Sequence, residues 1–217
     1  MTAGGLDRSL SPKARAQANL MIKPTPSNPI AQQQRSPSLT AGVLRFWFEQ
    51  STPKQWFQKD PAYDLLITSS FGALVDLALA GDVDMQHQQP ADNLALVLLL
   101  DQFTRHIYRD TPNAFAGDDL ALALTEQALR AGWVQHCPDA NYRKFWLMPM
   151  MHSESIEVQR ASLTLFERHT DADTLHFAKR HCEIIERFGR FPHRNAILKR
   201  ISTDDEIAFL AQPGSSF

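Results

Sequence analysis

Apolar residues recur at intervals of three and four positions along the chain from Ala41 onward. The clearest series forms one face of a predicted helix: Tyr63, Ile67, Phe71, Leu74 and Ala78. This spacing is typical of amphipathic α-helices, whereas strands would show a sustained alternation of apolar and polar residues, which this sequence lacks. We therefore predict an all-α fold, with no strands of note, for residues 41–217.

The most apolar stretch, residues 94–100, lies directly before Asp101. It is far shorter than the roughly 20 residues that a membrane span needs, so we predict a buried helix and no membrane partner. Beyond it, Phe103 and Ile107 fall on one side of the helix, and Asp101 and Arg105 fall on the other. The sequence thus predicts a central helix whose second half enters polar surroundings.

Further helices are indicated by spacing and by start and stop residues. The predicted ranges are 113–131, 140–147, 153–168 and 172–187. Thr170 or Asp171 is expected to cap the last of these, and a further helix follows a capping box of Thr203 and Glu206. Short connections between them predict a stack of antiparallel helix pairs, although no repeat of fixed period occurs. Residues 41–217 are therefore expected to form a single helical domain.

The first 40 residues differ from the rest of the chain. They contain five of its thirteen prolines, a run of three glutamines and five basic residues against one acidic residue. Such a segment buries too little apolar surface to offset the entropy lost on ordering, so we predict a weakly ordered extension. A cytoplasmic location is expected, with an organellar transit peptide as the alternative reading of the extension.

Composition excludes several classes of function. The formal net charge of −2 provides no field for a nucleic-acid backbone, so nucleic acid is not an expected partner. Two separated cysteines, Cys137 and Cys182, form neither a disulfide framework nor a zinc knuckle. No Gly-rich phosphate loop and no His-Glu-x-x-His pattern is present, so the sequence implies no cofactor and predicts no metal site.

The densest group of polar residues lies in the loop 188–195. Gly189 permits a left-handed helix end, and the proline at 192 favours a new helix start. Arg190, His193 and Arg194 would then stand beside a helix N-terminus, an arrangement suited to phosphate or carboxylate. The alternative is that these arginines pair with internal carboxylates and hold the loop.

Other candidates are dispersed along the chain. Asp101 and Arg105 lie one turn apart on one helix face, as an ion pair would. His152 and Glu154 flank Ser153 at a predicted helix start, where the serine would serve as a cap. His181 falls on an otherwise apolar helix face and must find a hydrogen-bond partner, which is more typical of a core histidine than of a ligand.

Several of these stretches resemble the bacterial domain-of-unknown-function family 924. The resemblance spans about residues 43–209, and its most specific segment is Gly-Arg-Phe-Pro-His-Arg-Asn at 189–195. The other matching segments are Val-Leu-Arg-Phe-Trp-Phe (43–48), Trp-Phe (56–57), Leu-Leu-Asp-Gln-Phe-Thr-Arg-His-Ile-Tyr-Arg (99–109), Ala-Phe-Ala (114–116), His-Ser-Glu (152–154) and Ser-Thr-Asp-Asp-Glu (202–206). The chain departs from the family pattern at Thr104, His106 and Lys199, where Pro, Asn and Gly are usual.

The resemblance implies an all-helical fold of the tetratricopeptide-like superfamily with a concave surface, and it implies no particular activity. Because the polar residues recur in the family's most recognisable segments, we expect nine of them to meet in one cleft. They are Asp101, Gln102, Arg105, His152, Glu154, His181, Arg190, His193 and Arg194.

Three functions follow as expectations. The first is a cleft that binds a small anionic metabolite or a peptide carboxylate, with Arg105, Arg190 and Arg194 as anion contacts and His193 as a donor. Charge type supports binding, and nothing in the sequence establishes turnover.

The second is a hydrolase or phosphoryl-transfer enzyme with a histidine general base. Its candidate bases are His193 and His181, and their candidate partners are Glu154 and Asp101. The third is a helical interaction module with an aromatic partner surface formed by Phe46, Trp47, Trp56 and Trp146. The oligomeric state is not indicated by the sequence.

Overall fold

The structure, a computed structural model, describes residues 39–83 and 89–215. These residues form α-helices with shorter π- and 3₁₀-helical segments, and no strand occurs among them, which confirms the all-α prediction. Residues 37–217 belong to one compact unit. The predicted N-terminal extension lies outside the described residues except for Leu39 and Thr40.

Eleven α-helices are labelled here in chain order. They are α1 (Leu39–Arg45), α2 (Pro53–Phe57), α3 (Pro61–Ala80), α4 (Pro90–Val97), α5 (Thr104–Ile107), α6 (Asp118–Arg130), α7 (Trp133–His136), α8 (Ala140–His152), α9 (Ile156–His169), α10 (Ala172–Phe188) and α11 (Asp204–Leu210). Segments Phe46–Gln50 and Leu98–Phe103 are π-helical, and Pro112–Phe115 and Pro192–Arg194 are 3₁₀-helical.

The predicted caps locate several helix ends correctly. Thr203 and Glu206 form the capping box of α11, since the Glu206 amide donates to the Thr203 hydroxyl and the Thr203 amide donates to the Glu206 carboxylate. Asp171 caps α10 by accepting from the Thr174 amide at 2.7 Å. Gly189 ends α10 in the left-handed region at φ 69°, as the sequence predicted.

Two predicted helices have different bounds in the structure. The helix expected from 113 to 131 begins at Asp118, because a 3₁₀ turn and Gly117 precede it. A Cβ at Gly117 would overlap the carbonyl oxygen of Leu100, so the start of α6 packs directly on the central helix. The helix expected to end at 147 continues through Pro149 to His152, because the residues around the proline are buried in the core.

Helix α9 also begins later than expected. Ser155 rather than Ser153 is its N-cap, with the Ser155 hydroxyl accepting from the Val158 amide. Ser153 instead ends α8 and accepts a hydrogen bond from the Ser155 amide. The shift leaves residues 152–154 in the connection between α8 and α9.

The core is built around residues 94–100, which are fully or almost fully buried as the sequence predicted. Helices α6 and α8 pack beside this central helix, and α9 packs on both α8 and α10. This pairwise packing is consistent with the predicted stack of antiparallel helix pairs. Membership of the tetratricopeptide-like superfamily stays a prediction.

The aromatic residues expected to form a partner surface lie in the core instead. Phe46, Trp47, Trp56 and Trp146 are each at most 8% exposed. Trp47 stacks on Trp56 and contacts Phe103 at a tilted angle, since large rings at helical spacing pack inward. That part of the interaction-module hypothesis is therefore wrong.

Helix α3 is long and apolar enough to cross a membrane when judged by length and composition alone, with a mean hydropathy of 1.4. One of its faces, which includes Tyr63, Ile67 and Val75, is buried in the core. The opposite face is exposed to solvent.

Lys199 is one of the departures from the family pattern, and its backbone conformation shows the strain that this departure causes. Its φ of 55° lies in the left-handed region, where a residue with a Cβ is strained by about 1 kcal/mol. Glycine, the usual residue of the family at this position, avoids that strain.

Candidate functional site

Asp101 lies at the centre of a buried polar network. The π-helical turn Leu98–Phe103 places it at 0% exposure, directly after the apolar run. His152 Nδ1 lies 2.6 Å from its Oδ1, and the Gln102 amide donates to its Oδ2 at 2.5 Å. Arg105 Nη1 adds an ion pair at 3.3 Å, which confirms the predicted pairing with Asp101.

These donors keep Asp101 ionised in spite of its burial. Burial alone would raise the pKa of this carboxyl group, but His152, Arg105 and the Gln102 amide together hold that pKa well below its usual range. The carboxylate is therefore a fixed negative charge at neutral pH, and it accepts hydrogen bonds on both oxygens.

His152 is oriented by this carboxylate. Because an ionised carboxylate can only accept, Nδ1 carries the proton and Nε2 carries the lone pair. Burial lowers the pKa of His152 below its ordinary value, although Asp101 opposes that shift, so the ring is neutral at pH 7. Within the described part of the chain, no hydrogen bond engages Nε2, and the side chain is 16% exposed.

A second carboxylate extends the network. Asp118, in the first turn of α6, binds Arg105 at 2.9 Å and Arg194 at 3.0 Å. Sequence analysis did not single out Asp118, since an acidic residue at a helix start is commonly explained by the helix dipole. The two arginines and two aspartates leave the network close to electrically neutral.

Arg194 is held between aromatic rings. Its guanidinium lies 4.5 Å from the centroid of Phe115 and 4.7 Å from that of Phe191. It also donates to the backbone carbonyl of His152 at 3.0 Å. Its Nε is buried and has no hydrogen-bond partner among the described residues, which leaves one charged donor unsatisfied.

Two further predicted histidines border the network. The His181 ring lies 6.3 Å from the His152 ring, and its Nδ1 is 2.8 Å from the Phe177 carbonyl oxygen. Burial, assisted by His152, lowers the pKa of His181 to about 3. Burial and the neighbouring Arg194 lower the pKa of His193 to about 4. Both rings are therefore neutral at pH 7.

The remaining two predicted residues form a separate brace. Arg190 binds Glu206 through two hydrogen bonds of 2.7 and 2.8 Å and is not joined to the Asp101 network. Glu154 accepts from Arg200 at 2.7 Å and from the Phe191 amide at 2.8 Å. Arg190 and Arg194 are thus both paired with carboxylates, Glu206 and Asp118, which agrees with the alternative that internal carboxylates hold the loop.

The nine residues expected in one cleft are thus divided between two places. Five form the continuous network: Asp101, Gln102, Arg105, His152 and Arg194. His181 and His193 lie at its edge, and Glu154 and Arg190 belong to the adjoining brace. No group of three or more described His, Cys, Asp or Glu side chains is arranged to hold a metal ion.

An open groove of about 440 Å³ lies close to the brace, between the start of α9 and the end of α10. Glu154, Ile185 and Gly189 are among its lining residues, whereas His152 is not. The groove therefore adjoins the brace rather than opening onto the histidine.

A second aspartate–histidine pair lies elsewhere in the core. His106 Nδ1 is 2.7 Å from Asp64 Oδ1, and Arg109 binds the same carboxylate through two hydrogen bonds. The backbone of Trp56 also interacts with the His106 ring and favours its charged form, and the ring packs edge-on against Tyr63. Both sides of this ring are therefore occupied.

Comparison with known proteins gives two matches. The family described as "bacterial protein of unknown function (DUF924)" matches residues 43–214. A solved structure from Agrobacterium tumefaciens, described as a protein of unknown function, ATU0120, is 36% identical with a TM-score of 0.74. That match covers 80% of this chain and 97% of the other. No curated protein matches the sequence.

Proposed function

Since the chain belongs to the DUF924 family of bacterial proteins, a family without an assigned reaction, we propose from its own geometry that His152 and Asp101 are the general-base pair of an enzyme site. The reaction class is hydrolysis or phosphoryl transfer. One observation carries the proposal: a buried carboxylate fixes Nδ1 of His152 while Nε2 keeps a lone pair that no described residue engages. His152 thereby takes the role that the sequence suggested for His193 or His181.

The chemistry requires one proton transfer in each direction. Nε2 of His152 takes the proton from a water molecule or a substrate hydroxyl as that oxygen attacks carbon or phosphorus. The bond to the leaving group breaks, and the imidazolium returns the proton to the leaving atom. Asp101 stabilises the imidazolium without accepting the proton, because its pKa is held far below that of histidine.

The substrate class is anionic. Arg194 offers a buried Nε without a hydrogen-bond partner in the described residues, and a carboxylate or phosphate oxygen is the natural acceptor for it. Arg105 and Arg194 are already balanced by Asp101 and Asp118, so a ligand with few charges fits better than a polyphosphate. Arg190, fully engaged by Glu206, is not part of this ligand site.

Binding without turnover is a second candidate function. It is favoured by the same Arg194 donor, and it corresponds to the expected site for a small anionic metabolite or peptide carboxylate. In that case Nε2 of His152 would accept a hydrogen bond from the ligand without taking up its proton. The two functions differ in whether His152 takes up a proton.

The decisive variant is His152→Asn. Its amide can still donate to Asp101, but it removes the Nε2 lone pair. We expect turnover of nitrophenyl esters or nitrophenyl phosphates, followed by absorbance between pH 5 and 9, to fall by about 10² to 10⁴. His176→Gln, which changes an exposed histidine, is the matched control and should retain the parent rate.

Ligand-induced thermal shifts with simple carboxylates and inorganic phosphate complete the test. Loss of turnover with retained shifts supports the base role. Full turnover in His152→Asn excludes that role, and anion-induced shifts without turnover by the parent protein would leave binding as the function.

A further inference from the structure

The backbone on both sides of His152 is held by a buried side chain from another helix. Gln159, near the start of α9, is fully buried. Its amide nitrogen donates to the carbonyl oxygen of Met151 at 2.7 Å and to that of Ser153 at 2.8 Å. Since these two residues precede and follow His152 in the chain, one side chain fixes the backbone before and after the histidine.

The partners of the Gln159 amide determine its orientation. An amide NH₂ group has two N–H donors, and each of them has one carbonyl acceptor here. If the nitrogen and the oxygen were exchanged, three oxygens would face one another with no proton between them. The amide oxygen is buried and has no hydrogen-bond partner among the described residues. Gln159 therefore uses both of its donors, while its acceptor is left unsatisfied.

The carbonyl group of His152 itself is held from another direction. Arg194, which is also buried, donates from Nη2 to this oxygen at 3.0 Å. Three successive carbonyl groups, at positions 151 to 153, thus accept hydrogen bonds from buried side chains. Gln159 provides two of these three bonds.

His152 requires such support because it is the last residue of α8. Carbonyl groups in the last turn of a helix lack intrahelical partners, and Ser153 already has an extended backbone with ψ 140°. A general base must keep its nitrogen within hydrogen-bond reach of the proton that it removes. A displacement of about 1 Å can lower the rate roughly 100-fold. Secondary structure alone therefore does not hold this histidine as firmly as its chemistry demands.

We propose that Gln159 is a positioning residue for His152, a role that rests on the general-base function proposed above. By holding the carbonyl groups of Met151 and Ser153, Gln159 fixes the backbone from which the imidazole Nδ1 reaches Asp101. It acts through this backbone and takes no part in the proton transfer.

Gln159 is itself fixed at both ends of its backbone. Its amide donates to the Ser155 carbonyl at 3.0 Å, and its carbonyl accepts from the Ser162 hydroxyl at 2.7 Å. The position of His152 is therefore tied to α9 as well as to α8.

A purely structural role for Gln159 makes a different prediction. If Gln159 only satisfies the carbonyl groups at the end of α8, its loss lowers stability and leaves the His152 ring as it is. Thr125 supplies a matched comparison, because it is fully buried and its hydroxyl donates to the Trp146 carbonyl of α8 at 2.8 Å. The two contacts are of the same kind, but only that of Gln159 lies beside His152.

NMR spectra of the full chain with ¹⁵N-labelled histidine test the proposal. The His152 signals are identified by their absence from His152→Asn, and two-bond ¹H–¹⁵N correlations show which ring nitrogen carries the proton. In the parent at pH 7 we expect Nδ1 to be protonated. Gln159→Met has a similar volume and no donor, so it should broaden these signals or mix the two tautomers.

Kinetics with the nitrophenyl substrates supply the second measurement. In Gln159→Met we expect kcat to fall about 10- to 100-fold with little change in KM, because Arg194 keeps its contacts with Asp118 and the two aromatic rings. Thr125→Val also loses a buried donor to α8 and should keep the parent kcat and the parent His152 signals.

Parent-like His152 signals in Gln159→Met, or equal changes in Thr125→Val, overturn the positioning role. If Gln159→Met does not fold, Gln159→Asn replaces it, because an amide that is one methylene group shorter does not reach both carbonyl groups. Parent-like signals in that variant count equally against the proposal. A parent protein without turnover would refute the general-base function alone, since the NMR comparison needs no substrate.

Discussion

The molecule contains two aspartate–histidine pairs. Their contacts between Nδ1 and the carboxylate are alike, but the contacts of the rest of each imidazole ring differ. Asp64–His106 and Asp101–His152 have separations of 2.7 and 2.6 Å, and each carboxylate also binds an arginine. The His106 ring also interacts with the Trp56 backbone, whereas Nε2 of His152 forms no hydrogen bond within residues 39–83 and 89–215. A paired carboxylate therefore does not by itself distinguish a candidate general base from a structural histidine.

The arginines sharpen the difference. Arg109 donates two hydrogen bonds to the Asp64 carboxylate. Arg105 instead forms ion pairs with both Asp101 and Asp118, and Asp118 also forms an ion pair with Arg194. The Asp64–His106 pair ends with Arg109. The Asp101–His152 pair is one end of a longer network, in which Arg194 has an unsatisfied donor.

The largest effect is expected from removing the two carboxylates in turn. Asp101→Ala leaves Arg105 and His152 without their fully buried acceptor, so the free energy of unfolding should fall by about 3 to 5 kcal/mol. Asp64→Ala should cost about 1 to 2 kcal/mol, because Arg109 is 27% exposed and can turn to water. Urea denaturation measures both.

Equal losses in that experiment would show that the two pairs have the same structural role. If Asp101→Ala does not fold, Asp101→Asn supplies the comparison with Asp64→Asn, since the amide preserves volume while removing the charge.

The next largest effect is a loss of stability at low pH, which arises from His181, the buried histidine beside His152. Below pH 6.5 the unfolded chain takes up a proton that folded His181 refuses until about pH 3. Its lowered pKa therefore destabilises the fold as pH falls, by about 1.4 kcal/mol per pH unit below pH 6 and about 2 kcal/mol by pH 5.

His181→Asn should remove that share of the pH dependence of stability, measured by denaturation at several pH values. His176→Asn, in which an exposed histidine changes, is the control. An unchanged slope in His181→Asn would mean that the buried ring does not resist protonation.

Gly117→Ala should affect one pair and leave the other unchanged. The added Cβ overlaps the Leu100 carbonyl, which cannot move away as a side chain could, so we expect a loss of about 1 to 3 kcal/mol. The start of α6 would shift Asp118 away from Arg105. Imidazole resonances in NMR spectra should therefore move for His152 and stay in place for His106.

The smallest effect is expected for His106→Asn, which restores the usual residue of the family. Asparagine can still reach Asp64, so stability should change by about 1 kcal/mol or less, and turnover should stay at the parent level. A loss of turnover as large as that of His152→Asn would erase the distinction between the two pairs.

The parts of this structure that depend on local spacing were predictable. The helical class, the Asp171 and Thr203 caps and the Asp101–Arg105 pair all involve residues within a few positions of each other. Periodicity and capping report such relations directly.

The parts that depend on distant contacts were not. Asp118 joins Arg194 across 76 positions, and no pattern near either residue indicates this. All six side chains of the π-helical turn Leu98–Phe103 are buried, which a regular helical period does not anticipate. The role of His152 likewise depends on a partner 51 residues away.

The contact between Gly117 and Leu100 also has a genetic consequence. Any nucleotide change at the first two positions of a glycine codon replaces glycine, and nearly all such changes introduce a side chain at this contact. Although Gly117 has no side-chain functional group, substitutions there should therefore be as damaging as substitutions of the charged residues that its contact with Leu100 helps to position. Random mutagenesis for loss of function should recover substitutions at Gly117 beside those at Asp101 and His152.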